Sequence, residues 1–428
     1  MSNFERVRVL WPDHFGFARG KYIPMRRAQH GARHCITTFA LGYDRSMVPT
    51  PGAMLLEGMP DMHAVFSLDD LRPSWEDDRT AVVVADLQFR GEPLSISPRH
   101  ALVKAIDDWK ALGYEPLVGI ELEAYMLQPD GNGGWESWYT PGSFVYGTGR
   151  AVDPIGVIDD IWATAERVGL PVEAINSEYD TAQFELTLEH TEALRAIDDI
   201  FLFRVLAREV AHRHGLLCTF LGRPFADRGG NGLHVNFSVR DHAGGNALLD
   251  ETADDQLSKL ALQCIAGELE HHVGMAALCA PTVNAYKRLR PGQIAGYWAN
   301  WGHDHRCATV RVPSERGMAT RLENRMPDGA ANPYTAAAAV LQAARLGHVH
   351  GLEPPEPETG DAFDEANTTR HTPHDLSAAL DALEADKELV EVIGSDLIAQ
   401  FVTTKRAEWE KWCTAVTDWE LNYYLHYH

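Results

Sequence analysis

Apolar and polar residues alternate along much of this chain, and the period of the alternation changes near residue 97. In Arg6-Val7-Arg8-Val9 two valines alternate with two arginines, the pattern of a half-buried strand; the alternation stops at Leu10-Trp11, and Pro12 ends the segment. Ala81 to Leu87 is a mostly apolar run of strand length, and turn signals at Pro49, Pro51-Gly52, Gly58 and Pro60 fill the stretch between. Residues 1–96 therefore read as a small sheet domain. At Ser97-Pro98 the period becomes helical: Ala101, Leu102, Ala105, Ile106 and Trp109 recur on one face, and Gly113 closes the helix. Further helices are predicted over 154–168 and 191–214, closed by Gly169 and Gly215, and again over 376–424. Strands are predicted at 118–126, 172–176, 182–187, 216–221, 233–239, 309–312 and 320–325. The run Leu352-Glu353-Pro354-Pro355-Glu356-Pro357-Glu358 reads as a rigid surface linker. The fold class that follows is α+β, with residues 97–428 as the larger domain.

The strand pattern also places chemistry. Glu121 and Glu123 flank Leu122, so both carboxylates share one strand face. Glu178 and Glu185 stand on either side of Tyr179-Asp180-Thr181, a turn that can point both into one cleft. In the 233–239 strand His234, Asn236 and Ser238 alternate with Leu233, Val235 and Phe237; in 321–325, Glu323 lies between Arg321 and Arg325 on a single face. Crowded carboxylates repel, and burying them is costly unless cations offset the charge. Five glutamates and one histidine suit two or three hard divalent ions, Mg²⁺ or Mn²⁺, better than zinc. The interleaved arginines, with Arg288, Arg306 and Arg311 upstream, suit anionic ligands such as metal-bridged phosphates. Gly229-Gly230-Asn231-Gly232 is either a plain turn or a place where backbone N–H groups meet a ligand.

Composition narrows the partners. The net charge of −23 argues against nucleic acid or anionic lipid as the main partner. The sequence has no eighteen-residue apolar run and no signal-peptide pattern at its start, so no membrane span is expected and the expected location is cytoplasmic. The six cysteines are scattered without metal-ligand spacing and read as reduced.

Several segments together resemble the glutamine synthetase family: Gly119 to Glu123, Glu178 to Glu185, Gly230 to Val235, Pro281 to Leu289, Arg306 to Pro313, Arg321 to Asp328, and Asn332-Pro333-Tyr334, all in family order. Arg19-Gly20-Lys21 and Pro60-Asp61-Met62 extend the likeness, more weakly, into the first ninety-six residues. The resemblance implies a β-grasp-like domain over 1–96 and a catalytic domain over 97–428 with a curved antiparallel sheet and surrounding helices. It implies that Glu123, Glu185 and Glu323 hold one metal, and that Glu121, Glu178 and His234 hold another. Arg288, Arg325 and the Gly230 backbone would bind glutamate; Arg306, Arg311 and Arg321 would face phosphates; Glu173 and Ser238 would contact ATP. It further implies a homo-oligomer of two stacked hexameric rings, with active sites between neighbouring subunits. The amine must give up a proton, and Asp61 of the adjacent subunit is the first candidate to accept it, Asp44 the second.

The sequence departs from the family where ammonium would sit. The flap glutamate is replaced by Ile294, the second family histidine is Asn236, and the usual Asn-Arg-Ser is His305-Arg306-Cys307. An isoleucine packs against an alkyl group and cannot stabilise ammonium. The expectation is therefore an ATP-dependent ligase that joins the γ-carboxylate of L-glutamate to a small primary amine through a γ-glutamyl phosphate. Ammonia as acceptor, or a catalytically silent ring-forming relative, are the alternatives. Tyr43, Phe144, Tyr146 and Trp298 are candidates to line an amine pocket.

Overall fold

A computed structural model describes residues 4–428. Two hydrophobic cores organise them, and one strand serves both. In Thr80–Val84 every residue is buried: Val82 and Val84 join the large core, while Ala81 and Val83 join the small one. The apolar run carries no alternation because neither of its faces meets water. Ala85 then breaks it, and Asp86–Phe89 pairs in a different sheet.

The N-terminal part is β-rich and consists of two four-stranded sheets rather than a β-grasp. One has the order Ala18–Pro24, Arg6–Pro12, Thr80–Val84, Arg72–Pro73, its central pair parallel. The other orders Ala32–Cys35, Asp61–Val65, Asp86–Phe89 and Glu92–Pro93. The catalytic sheet also corrects the expectation. Seven of its ten strands run as an open path from Val172–Ser177 at one end to Trp301–His303 at the other, the remaining three pair only with Glu115–Pro129, and the sheet is neither curved nor closed. It is not wholly antiparallel either, because Trp301–His303 and Val310–Val312 pair in parallel.

The long strand Glu115–Pro129 is the spine of this sheet and alternates buried with half-buried positions over most of its length. Helices pack behind it: Pro98–Ala111, Ala193–Arg213, Lys259–Glu270 and Pro333–His350 contribute Trp109, Phe203, Ile265 and Leu341 to the large core. The helix expected from residue 154 starts at Val157, because the Asp153 carboxylate accepts from the backbone N–H groups of Val157, Ile158 and Asp159. The 352–358 run lies at the surface without helix or strand, but it is tied to the domain. Trp301 Nε1 donates to Pro355 O at 2.7 Å, and Glu358 is buried. Among the described residues no helix is long and apolar enough to cross a membrane.

A buried acid braces the back of the sheet. Glu268, on Lys259–Glu270, has no exposure and accepts from Asn324 Nδ2 at 2.7 Å. Burial pushes its carboxyl up to about 8, and the Asn324 hydrogen bond opposes only part of that shift. Between roughly pH 4 and 8 the folded protein therefore holds a proton that the unfolded chain gives up. Stability falls as pH rises through that window and levels off above it. Glu268→Gln keeps an acceptor for Asn324 and removes the ionisation. It is expected to stabilise the protein by a few kcal/mol at pH 8 and by little at pH 5, as read from thermal melts at the two pH values.

Candidate active site

Strand register assembles the site. Glu121 stands opposite His234 and Thr187, Glu123 opposite Glu185, and Glu323 opposite both Asn236 and Arg311. Residues from five strands thus meet on one sheet face. His234, which is 2% exposed, sits at the centre. Its Nδ1 lies 3.2 Å from Glu121 Oε2 and 3.5 Å from Glu323 Oε1, and its Nε2 lies 3.7 Å from Glu123 Oε1.

Two groups of donor atoms lie close enough to share a cation: Glu121, His234 and Glu323, and Glu123, Glu185 and His234. The sequence-based grouping put Glu323 with Glu123 and Glu185, and His234 with Glu121 and Glu178. In the structure His234 serves both groups, and Glu178 stands outside them, taking weak bonds from Asn176 and Tyr179 N. The position of Glu323 has a physical cause: Arg311 Nη1 donates to its Oε2 at 2.7 Å and Arg325 to its Oε1, and the carboxylate is fully buried between them.

The electrostatics fit a site made for cations. Burial, then the charges of Glu121, Glu178 and Glu123, push the Glu185 carboxyl up to about 9. Burial and Glu123 likewise raise Glu178. Burial also works against Glu121, but His234, Arg325 and Asn236 outweigh it and hold that carboxyl down to about 2. The donor set is oxygen-rich with one imidazole, the choice of hard divalent ions. His234 Nε2 is buried and has no hydrogen-bond partner, as a ring nitrogen reserved for a metal would be. These residues fit Mg²⁺ or Mn²⁺.

The glycine stretch is more than a plain turn. Gly232 N donates to Glu123 Oε2 at 2.8 Å, and Gln183 Nε2 holds Gly230 O at 2.9 Å. A Cβ on Gly232 would lie 2.6 Å from His234 Nε2 and 2.8 Å from Arg288 Nη2. Gly232→Ala is therefore expected to displace both side chains, costing about 1–3 kcal/mol of stability and weakening metal binding. Thermal melts with and without Mg²⁺ measure both effects. Arg288 is itself buried, donating to Met326 O at 2.9 Å and Arg325 O at 3.1 Å.

Beside the carboxylates opens a cavity of about 310 Å³ whose lining includes Glu121, Glu173, Asn236, Ser238 and Arg321, so three of the residues assigned to ATP line one space. Arg321 Nε donates to Asn236 Oδ1 at 3.3 Å. Arg306 is exposed on the turn between Trp301–His303 and Val310–Val312, and Ile294 is 53% exposed on the loop after Arg288. Asp61 lies elsewhere, exposed at the start of Asp61–Val65 in the N-terminal part. Tyr43 also lies apart: it stacks on Phe15 at 4.1 Å and lies 4.9 Å from the buried Lys405 Nζ, bracing the Ser395–Thr414 helix. Sequence reasoning missed Asp304, whose carboxylate takes a second bond from Arg311 at 3.1 Å. It also missed the use of Asn236, which bonds Glu121 at 3.0 Å. Asn236 was legible from its place on the His234 face, whereas a lone aspartate on a turn gives no signal.

Acidic ligands on strand faces with arginines around them define an enzyme that handles anionic, metal-associated substrates. Residues 95–424 match the family described as glutamine synthetase, catalytic domain. The glutamine synthetase of Methanocaldococcus jannaschii is 32% identical over 443 residues, covering 100% of this chain and 96% of its own length. That of Clostridium saccharobutylicum is 34% identical over 353 residues, covering 78% and 77%. The solved structure of GmaS without ligand superposes with a TM-score of 0.87 at 29% identity, covering 99% of this chain and 97% of GmaS; a GmaS/ADP complex gives the same values. The chain belongs to the glutamine synthetase family. It is an ATP-dependent carbon–nitrogen ligase of that superfamily, forming an acid–amide bond.

Proposed function

We propose that the chain joins the γ-carboxylate of L-glutamate to a small primary amine through a γ-glutamyl phosphate, releasing ADP and phosphate. The observation that carries this reading is Ile294: an uncharged side chain stands on the loop after Arg288 while the whole carboxylate–histidine cluster is kept. A second reading, with ammonia as acceptor, draws on the relatives of nearly full length that are named glutamine synthetase.

Glu121, Glu123, Glu178, Glu185, His234 and Glu323 would hold two or three Mg²⁺ or Mn²⁺, which when bound offset the charge of the phosphates and of the acyl phosphate. Arg288, Arg325 and the Gly230 backbone bind glutamate, while Glu173, Ser238 and Arg321 bind ATP. An oxygen of the γ-carboxylate attacks the γ-phosphorus, the bond to the β–γ bridging oxygen breaks, and ADP leaves. Arg311 and Arg321 face the charge that develops on the phosphoryl oxygens, and Arg306 faces the acyl phosphate. The amine nitrogen then attacks the γ-carbonyl carbon and loses a proton to Asp61 of a neighbouring subunit, and phosphate leaves. Ile294 packs against the alkyl group. Residues 1–96 form the domain that supplies Asp61, in a ring assembly of two stacked hexamers.

The intermediate is tested with glutamate carrying ¹⁸O in its γ-carboxylate. Transfer of one labelled oxygen to the released phosphate supports the acyl phosphate, and unlabelled phosphate contradicts it.

A further inference from the structure

The Pro-rich run at 352–358 and the residues after it fold back over the loop that carries Ile294. Gly292 N donates to Phe363 O, Ala299 N to Arg370 O and Thr372 N to Tyr297 O, each at 2.9 Å. Tyr297 and His371 stack with ring centroids 5.0 Å apart and an interplanar angle of 8°. On the other side Glu358 N donates to Trp301 O at 2.7 Å, and His305 Nε2 lies 2.9 Å from Gly360 O, which fixes the turn leading to Arg306. Residues 353–374 thus form a strap across both loops.

Two polar side chains fasten the strap: the exposed Arg370, whose Nη1 donates to Glu270 Oε2 at 3.4 Å, and the buried Glu358, which faces the two loops. The Glu358 side chain accepts from Thr359 N at 3.0 Å, Gly360 N at 2.7 Å, Asn367 N at 2.7 Å and Asn300 Nδ2 at 3.5 Å. Burial alone would raise its carboxyl, but these donors outweigh burial and hold it below the ordinary range. Asn300, itself buried, continues inward: its Oδ1 accepts from Thr309 N at 3.2 Å, and Thr309 O accepts from Arg325 N at 2.9 Å. A chain of buried hydrogen bonds therefore runs from the strap to the backbone of Arg325. At the other end, a Cβ on Gly292 would sit 3.9 Å from Phe363 Cε1, so the Phe363 ring lies against the loop two residues before Ile294.

We propose that Glu358 is a positioning residue for acceptor selection: it fastens the strap that sets the Ile294 loop and, through Asn300 and Thr309, supports Arg325. The inference rests on the reading of Ile294 as the amine-side residue. It makes the strap, which touches neither the carboxylate cluster nor the ATP cavity, a determinant of which amine is used.

The test is the kinetics of E358A, E358Q and F363A with methylamine and with ammonia, alongside ATP titrations. E358A is expected to raise the methylamine KM about tenfold and lower the methylamine-to-ammonia ratio of kcat/KM by a similar factor, with the ATP KM within about twofold. E358Q can still accept from Thr359 and Gly360 but presents a donor to Asn367 N, so it should recover part of the loss. F363A leaves the Glu358 bonds in place and should move the ratio in the same direction. Unchanged acceptor KM and ratio in both E358A and F363A, or amine, glutamate and ATP KM values rising together, would overturn the proposal. If the wild type itself prefers ammonia, the amine reading falls, and the positioning role is then judged by whether E358A splits the ammonia KM from the ATP KM.

Discussion

Glu185→Gln is expected to lower kcat by about two to three orders of magnitude while leaving the metal-free protein at least as stable as the wild type. The argument rests on charge crowding. Glu185 lies opposite Glu123, and burial followed by the charges of Glu121, Glu178 and Glu123 pushes its carboxyl up to about 9, so without a cation it is held protonated at neutral pH at a cost in stability. An isosteric amide removes that cost without opening a cavity. With Mg²⁺ present the balance reverses, since a neutral amide is a weaker ligand for a hard cation. The wild type should gain thermal stability on adding Mg²⁺, and E185Q should gain much less. Glu323→Ala would be a poorer test of the same point. Its loss leaves the buried guanidinium of Arg325 without its carboxylate and takes from Arg311 one of its two, Asp304 being the other, which by itself costs several kcal/mol. A clear Mg²⁺-induced stabilisation of E185Q equal to that of the wild type would remove Glu185 from the metal site.

Ile294→Glu is expected to shift the ratio of ammonia to alkylamine turnover by about 10- to 100-fold towards ammonia. A carboxylate at this position attracts ammonium and accepts its proton, and it withdraws the apolar surface an alkyl group would cover. The side chain is half-exposed, and the neighbouring Gln293 is already fixed by Arg223 Nη1 at 2.7 Å. The substitution should therefore leave the loop in place, with a stability change within about 0.5 kcal/mol. The ratio of kcat/KM values for ammonia and methylamine, measured at one pH, reads the effect. A ratio unmoved by I294E would place the amine elsewhere.

The candidate site was legible in the sequence wherever chemistry rode on a period of two. Glu121, Glu123, His234 and Glu323 could be put on strand faces before any pairing was known, and the registers bring them together. What alternation cannot give is which oxygen meets which neighbour. The Arg311–Glu323–Arg325 arrangement draws Glu323 towards Glu121 rather than Glu185, and that depends on side-chain packing across three strands.

The fold was legible less evenly. Helices with one wet face, such as Pro98–Ala111, announced themselves. Lys259–Glu270, His272–Cys279 and Pro333–His350 did not, because they are buried nearly all round and show no polar face. Their termini carried the missed signal: Ser258 caps the first, and Asn332-Pro333 and the left-handed Gly351 bracket the last. The open path of the large sheet and the two small N-terminal sheets are long-range pairings, which local pattern does not fix. The 352–358 run is a surface segment without helix or strand, as its prolines suggest, but its end was not legible: Glu358 is buried by four donors, three of them backbone groups that follow it in the chain.

The most direct test of the central claim is phosphate release from ATP with Mg²⁺ and L-glutamate across ammonia, methylamine, ethanolamine, isopropylamine, putrescine and spermine. Turnover with one alkylamine well above that with ammonia, dependent on glutamate and accompanied by the matching γ-glutamylamide, is the result expected here. Preferential turnover of ammonia to glutamine would contradict it and make the chain a glutamine synthetase in activity as well as in family.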